Sequence, residues 1–238
     1  MFGVLLLHSF GSTKIEFQEF VDYLEGQGFR TIVPSIPGYG SFPKDLENFT
    51  YKEWLKASEN ALKELNCQVT FIIGQTTGAP LALSLAAKHP ELLGIVTISG
   101  IINLPRWSML YRPFIKYRPS LIKWESLSSR VIPFYNEKIG TKTYQFKNVP
   151  HKSLNEIFRL IQHTRRILHK VIQPIYVFHP STARELDAHY IFEEVSSNKK
   201  KLKFIEKGGP IMSIDLSRRI IFQETTHFLW NCINLYQM

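Results

Sequence analysis

A chain of 238 residues, 44% apolar and 21% charged, has the size and composition of one globular domain with a full core, which excludes a disordered tail or a fibrous repeat. Two cysteines, Cys67 and Cys232, exclude a disulfide framework, and no His, Cys and carboxylate cluster has metal-ligand spacing, so neither metal nor cofactor is expected. The formal charge of +9 is concentrated in residues 101–170, where 14 Lys and Arg face only Glu125, Glu137 and Glu156. No recognised nucleic-acid motif accompanies that charge, and no nucleic-acid partner is expected.

Residues 4–7 read as the first strand, followed by the loop His8-Ser9-Phe10-Gly11-Ser12. Residues 15–25 have helical spacing, with Phe17, Phe20, Val21 and Leu24 on one face and Gly26 and Gly28 as the stop. Residues 30–33 predict a second strand, and the Pro- and Gly-rich stretch 34–43 predicts a loop. Thr50 caps a predicted helix over 51–65, whose inner side carries Trp54, Leu55, Ser58 and Leu62. The β-branched and aromatic run 69–73 is a buried strand. It meets the turn Gly74-Gln75-Thr76-Thr77-Gly78 and an Ala- and Leu-rich helix over 79–89, closed by Pro90. A strand, a two-glycine turn and a helix together form a nucleophile elbow with Thr76 at its centre. Residues 94–99 predict another strand.

Between 101 and 170 the alternation breaks. Trp107, Tyr111, Phe114, Tyr117 and Trp124 are interleaved with Arg106, Arg112, Lys116, Arg118 and Lys123, and residues 153–171 predict a basic amphipathic helix. This segment reads as a small helical lid, inserted in a single domain of 1–238 whose core is 1–100 and 171–238. Strands over 175–178 and 202–205 and a closing helix over 217–235 complete the pattern. The class is α/β: a mostly parallel sheet of about six strands, helices on both faces, ligands beyond the carboxyl strand ends. The apolar run near the N-terminus is too short for a secretory leader, and no stretch reaches a membrane span, so a cytoplasmic location is expected.

With the elbow, three further stretches in the right order, GVLLLHSFGS, IPGYGSFPKDL and HKSLNEIFRLIQHTRRILHKVIQPIYVF, carry a resemblance that covers nearly the whole chain. The chain resembles the α/β-hydrolase fold family, in particular compact carboxylesterases and monoacylglycerol-lipase-like enzymes. The resemblance implies a serine nucleophile, a carboxylate and a histidine base at three positions. Here those positions hold Thr76, Ala183 within HPSTARELD, and Pro210 in the turn after the last strand. It also implies an oxyanion hole made by the backbone N–H groups of Phe10 and Thr77. His179, at a strand end, is the candidate substitute base, and Glu185 and Asp187 are candidates for a displaced acid. The other histidines considered, His8, His89, His151, His163, His169 and His189, read as structural or surface groups.

A threonine hydroxyl without a base is a poor nucleophile. The expectation is therefore a non-catalytic member of the fold that binds a small acyl or ester-like ligand or a partner protein. Two alternatives stay open: a weak or altered ester hydrolase using Thr76, and a peripheral binder of anionic membrane surfaces through the basic lid.

Overall fold

The computed structural model describes residues 1–40, 43–103, 150–183, 185–206, 208–209 and 211–237. Residues 104–149, most of the expected lid and its interleaved aromatic and basic side chains, lie outside the described residues, as does Pro210.

Six strands form one parallel sheet. They are β1 (Phe2–Leu7), β2 (Arg30–Ile32), β3 (Val69–Gln75), β4 (Gly94–Ile98), β5 (Ile175–Pro180) and β6 (Lys200–Ile205). Their order across the sheet is β2-β1-β3-β4-β5-β6, and every neighbouring pair runs parallel. The connecting helices are α1 (Gln18–Gly26), α2 (Tyr51–Leu65), α3 (Gly78–Lys88), α4 (His151–Ile167), α5 (Glu185–Glu194) and α6 (Arg218–Gln237).

The period of two along each strand divides the core. Leu5, Leu7, Ile72, Ile95, Ile175 and Val177 pack towards α2, α3, α4 and α5. Val4, Leu6, Phe71, Ile73, Val96, Ile98, Tyr176 and Phe178 pack towards α1 and α6. Both faces are covered, so the inner strands are near-continuous apolar runs. Burying one such side chain contributes about 1.5–3 kcal/mol.

β1 and β6 begin two residues before the expected strands and α4 spans 151–167 where 153–171 was expected, and three further boundary differences have a local reason. β3 runs two residues further, because Gly74 pairs with Leu7 and Thr97 and Gln75 pairs with Ile98. The helix expected over 15–25 begins as a 3-10 turn, Lys14–Phe17, whose Thr13 cap accepts from the Ile15 N–H. β5 reaches Pro180, since Ser181 N–H still donates to the Ile205 carbonyl at 3.0 Å. At α2 the expected cap is a full capping box, with Glu53 accepting from the Thr50 N–H at 2.8 Å.

α4, the last part of the 101–170 segment, is built into the helical layer. Leu154, Ile157, Phe158, Leu160 and Ile161 are buried. Ser84 of α3 meets the Thr164 hydroxyl at 2.8 Å, and Glu156 accepts from the Tyr51 N–H at 3.2 Å. Among the described residues no helix is long and apolar enough to cross a membrane.

Candidate active site

The parallel order carries the ends of β1, β3, β4 and β5 to one edge, and the elbow stands at its middle. Thr76 has φ 49°, in the left-handed region that a β-branched residue rarely enters. Its geometry is held from three sides. Thr76 N–H donates to the Ile98 carbonyl at 2.9 Å, while its own carbonyl accepts from Ala79 at 3.2 Å and Ile101 at 3.3 Å. The two glycines allow the close crossing. A Cβ on Gly74 would lie 2.5 Å from the Gly78 carbonyl oxygen, and one on Gly78 would lie 1.9 Å from that of Leu7. The elbow read from the sequence is therefore the elbow that forms.

Thr76 is 5% exposed, and among the described residues its hydroxyl makes no hydrogen bond. Thr77 behaves differently. It stands at the N-cap of α3, yet its side chain makes no capping bond there. Its Oγ1 instead accepts the Phe10 N–H at 2.5 Å. The structure thus brings together Phe10 and Thr77, the two residues expected to supply an oxyanion hole, and joins them to each other.

An aromatic wall backs this contact. Phe10, Tyr39 and Trp54 meet edge to face at centroid separations of 5.1 to 5.7 Å, and the His8 ring lies 5.5 Å from Tyr39. Trp54 Nε1 donates to the Pro37 carbonyl at 3.1 Å, which fixes the loop between β2 and α2. Burial pushes the Tyr39 phenol above its ordinary range. Burial also lowers the His8 pKa, against an opposing pull from the Glu16 carboxylate, so His8 is held as the neutral imidazole.

On the opposite face of the sheet, Gln75 enters a buried polar network that the sequence reading missed. Glu16 Oε1 accepts from Ser9 N–H at 3.2 Å, from the Ser9 hydroxyl at 2.8 Å and from Gln75 Nε2. Gln75 Nε2 also reaches Ser213 Oγ at 2.8 Å, and Gln75 Oε1 accepts the Ser213 N–H at 3.1 Å. The sequence did hold a signal for Glu16. It falls on the same i, i+4, i+8 line as Phe20 and Leu24, the inward face.

The network also bears on the expected triad positions. Ser213, in the stretch between β6 and α6, is tied to the elbow by its bonds to Gln75, while Pro210 itself lies outside the described residues. Thr182, next to Ala183, donates from its hydroxyl to the Gly208 carbonyl at 3.0 Å. Ala183 N–H turns back to the Pro180 carbonyl at 3.1 Å. The loops after β5 and β6 therefore meet beside the elbow. His179 is 3% exposed at the end of β5, its ring edge-on to Phe204. Asp187 is buried on α5, and its Oδ1 accepts the N–H groups of Ile102 at 3.0 Å and Asn103 at 2.5 Å. Glu185 is exposed. Among the described residues no group of three or more His, Cys, Asp or Glu is placed to hold a metal ion. A separate groove of about 370 Å³ between α2, α3 and α4, lined in part by Glu59, Ser84, Lys88 and His163, contains none of the elbow residues.

A family model for the α/β hydrolase fold matches residues 4–126, which include β1, the elbow and β4. The chain belongs to the α/β-hydrolase fold family. Within that family it is similar to the thermostable monoacylglycerol lipase of a Bacillus species (strain H-257), at 24% identity over 95% of this chain and 89% of that one. It is equally similar to a carboxylesterase of Bacillus subtilis (strain 168), at 24% identity over 95% of this chain and 92% of that one. Solved structures superpose on nearly the whole chain. A metagenome-derived lipolytic enzyme gives a TM-score of 0.83 at 17% identity, covering 97% of this chain and 94% of that one. A carboxyl esterase from Bacillus coagulans, in complex with glycerol, gives 0.75 at 15% identity, covering 97% and 90%.

Proposed function

We propose that this α/β hydrolase is a non-catalytic member of its family that binds a small acyl or ester-like ligand at the strand ends. The observation that supports this most is the state of Thr76. It holds the strained elbow position, and among the described residues its hydroxyl makes no hydrogen bond. The sequence adds that no histidine occurs between β6 and α6, where the resemblance places the base, and that Ala183 stands where it places the acid. An ester hydrolase needs all three groups as a unit, and losing triad members costs about 10⁴ to 10⁶ in rate. Phe10 and Trp54 are buried in the core behind the elbow, and Tyr39, half-buried against both, is the apolar side chain of this group nearest to solvent.

The test is turnover of short-chain p-nitrophenyl esters and of monoacylglycerols by the purified chain and its Thr76→Ala variant. The expected result is a rate near the buffer background that changes less than about twofold in Thr76→Ala. A rate well above background that falls a hundredfold or more in Thr76→Ala overturns the reading.

One observation favours a second reading, weak hydrolysis by Thr76 with His179 as base. Phe178 pairs with Ile98 and Ile98 with Gln75, so His179 and Thr76 lie at the same level of the sheet, two strands apart. Two interstrand spacings put their backbones about 10 Å apart. Under this reading His179→Ala and Thr76→Ala abolish the same residual rate.

A further inference from the structure

Building on the reading of the site as an acyl-ligand binder, we propose that Thr77 sets its affinity. The Thr77 hydroxyl is the resting occupant of the position that a ligand's carbonyl or carboxylate oxygen would take, and the ligand must displace it.

The argument starts from what Thr77 does not do. A capping threonine has extended backbone angles and turns its oxygen back onto the N–H groups of the first turn, whereas Thr77 has helical angles, φ −75° and ψ −14°, which leave its hydroxyl for another partner. Thr77 makes no capping bond. It points across to the loop after β1 and accepts the Phe10 N–H at 2.5 Å. A bound acyl oxygen would need that same hydrogen, from about 2.7–3.1 Å. Two oxygens cannot both sit there, and one N–H makes one strong bond.

The loop cannot easily present the donor elsewhere. Gly11 holds φ 72°, Ser12 N–H returns to the Ser9 carbonyl at 3.2 Å, and Ser9 is bonded through both its N–H and its hydroxyl to the buried Glu16. Thr77 itself is 2% exposed, so its bond to Phe10 is shielded from water and strong. A ligand therefore exchanges one hydrogen bond for another and gains little from Phe10. Removing the hydroxyl leaves a buried donor unsatisfied, which a ligand oxygen then satisfies.

The experiment titrates octanoate into the isotope-labelled full chain and follows the Phe10 and Thr77 amide resonances. Thr77→Ala removes the hydroxyl. Thr77→Gly, well tolerated at an N-cap, repeats the removal if the alanine variant folds poorly. Thr77→Ser keeps the hydroxyl, and Thr77→Val keeps the volume without an acceptor. The expected result is octanoate binding at least tenfold tighter in Thr77→Ala or Thr77→Gly than in the parent, with both amides shifting on saturation. Thr77→Ser should match the parent, and Thr77→Val should not gain. Equal affinity and equal amide shifts in the parent and the hydroxyl-free variants overturn the proposal, as does octanoate that binds none of them. Failure of the non-catalytic reading is seen separately, as Thr76-dependent ester turnover, which these binding measurements do not contain.

Discussion

Glu16 shows how a single side chain can hold a site together without facing it. It is 1% exposed, and a buried carboxylate is costly unless neighbours answer its charge. Three donors converge on Oε1, while Oε2 is buried with no hydrogen bond among the described residues. The donors come from the loop after β1 and from the last residue of β3. Ser213 Oγ donates to the Glu16 carbonyl at 2.9 Å and so adds the loop before α6. Three segments far apart in sequence are thereby fixed around the elbow. Glu16→Ala would strand the Ser9 N–H, the Ser9 hydroxyl and one Gln75 N–H. Each buried donor left unsatisfied costs about 1–3 kcal/mol, so a loss of at least about 2 kcal/mol is expected in urea unfolding. Glu16→Gln keeps an acceptor oxygen in the same shape and should lose less than half as much. A change within about 0.5 kcal/mol for Glu16→Ala would mean that water satisfies these donors after all.

At the scale of elements, the sheet edge at β6 illustrates how charge replaces packing. β6 is an edge strand bearing Lys200, Lys201 and Lys203, which discourages pairing with another chain. Lys200 Nζ caps the end of α5 through the Phe192 carbonyl at 2.9 Å and the Val195 carbonyl at 2.8 Å. Lys203 and Lys201 reach across to Glu224 of α6 at 2.6 and 3.3 Å, and the Tyr176 hydroxyl of β5 donates to it at 2.8 Å. Hydrogen bonds from Lys203, then Tyr176, and the nearby Lys201 lower the Glu224 pKa from 4.5 to about 2. A carboxylate depressed in the folded state stabilises it above its unfolded pKa and loses that effect as pH falls through the folded value. The stability gap between the parent and Glu224→Gln should therefore be full at pH 7 and shrink between about 4.5 and about 2. Urea midpoints at pH 7, 4 and 3 measure it, and a gap independent of pH would assign the effect to packing. Elements such as these were legible in the sequence where periodicity is local. The Thr50 cap, the strand–helix alternation and the elbow all follow from residues within a few positions of one another. The register that extends β3 to Gln75 is set by Leu7 and Ile98, and the Phe10–Thr77 bond spans 67 positions. Such side-chain choices depend on tertiary contact, which no window of sequence contains.

At the scale of the whole molecule, the two cysteines report on opposite faces of the sheet. Cys67 is half-buried beside the layer of α2 and α3, close to where a side chain on Gly3 would lie. Cys232 is 6% exposed on α6, packed with Phe71, Val96 and Tyr176 of the other face, and burial pushes its thiol up to about 11. The thiolate is the reactive form, so Cys232 is protected both by access and by its proton. Cys67 should therefore react with a small aromatic disulfide first, at a rate nearly independent of urea. Cys232 should react only when α6 leaves the sheet. α6 contributes Ile221, Phe222, Leu229 and Ile233 to one continuous core with β1, β3, β4 and β5, so its departure exposes that whole face. Because both helical layers rest on one sheet, the expectation is that they open together as a single cooperative unit. The urea dependence of Cys232 labelling should then equal the slope of global unfolding measured by circular dichroism, and the Cys67→Ala variant isolates the signal. A much shallower slope would show that α6 detaches alone, as a local opening of low free energy, and would divide the molecule into two stability units along the plane of the sheet.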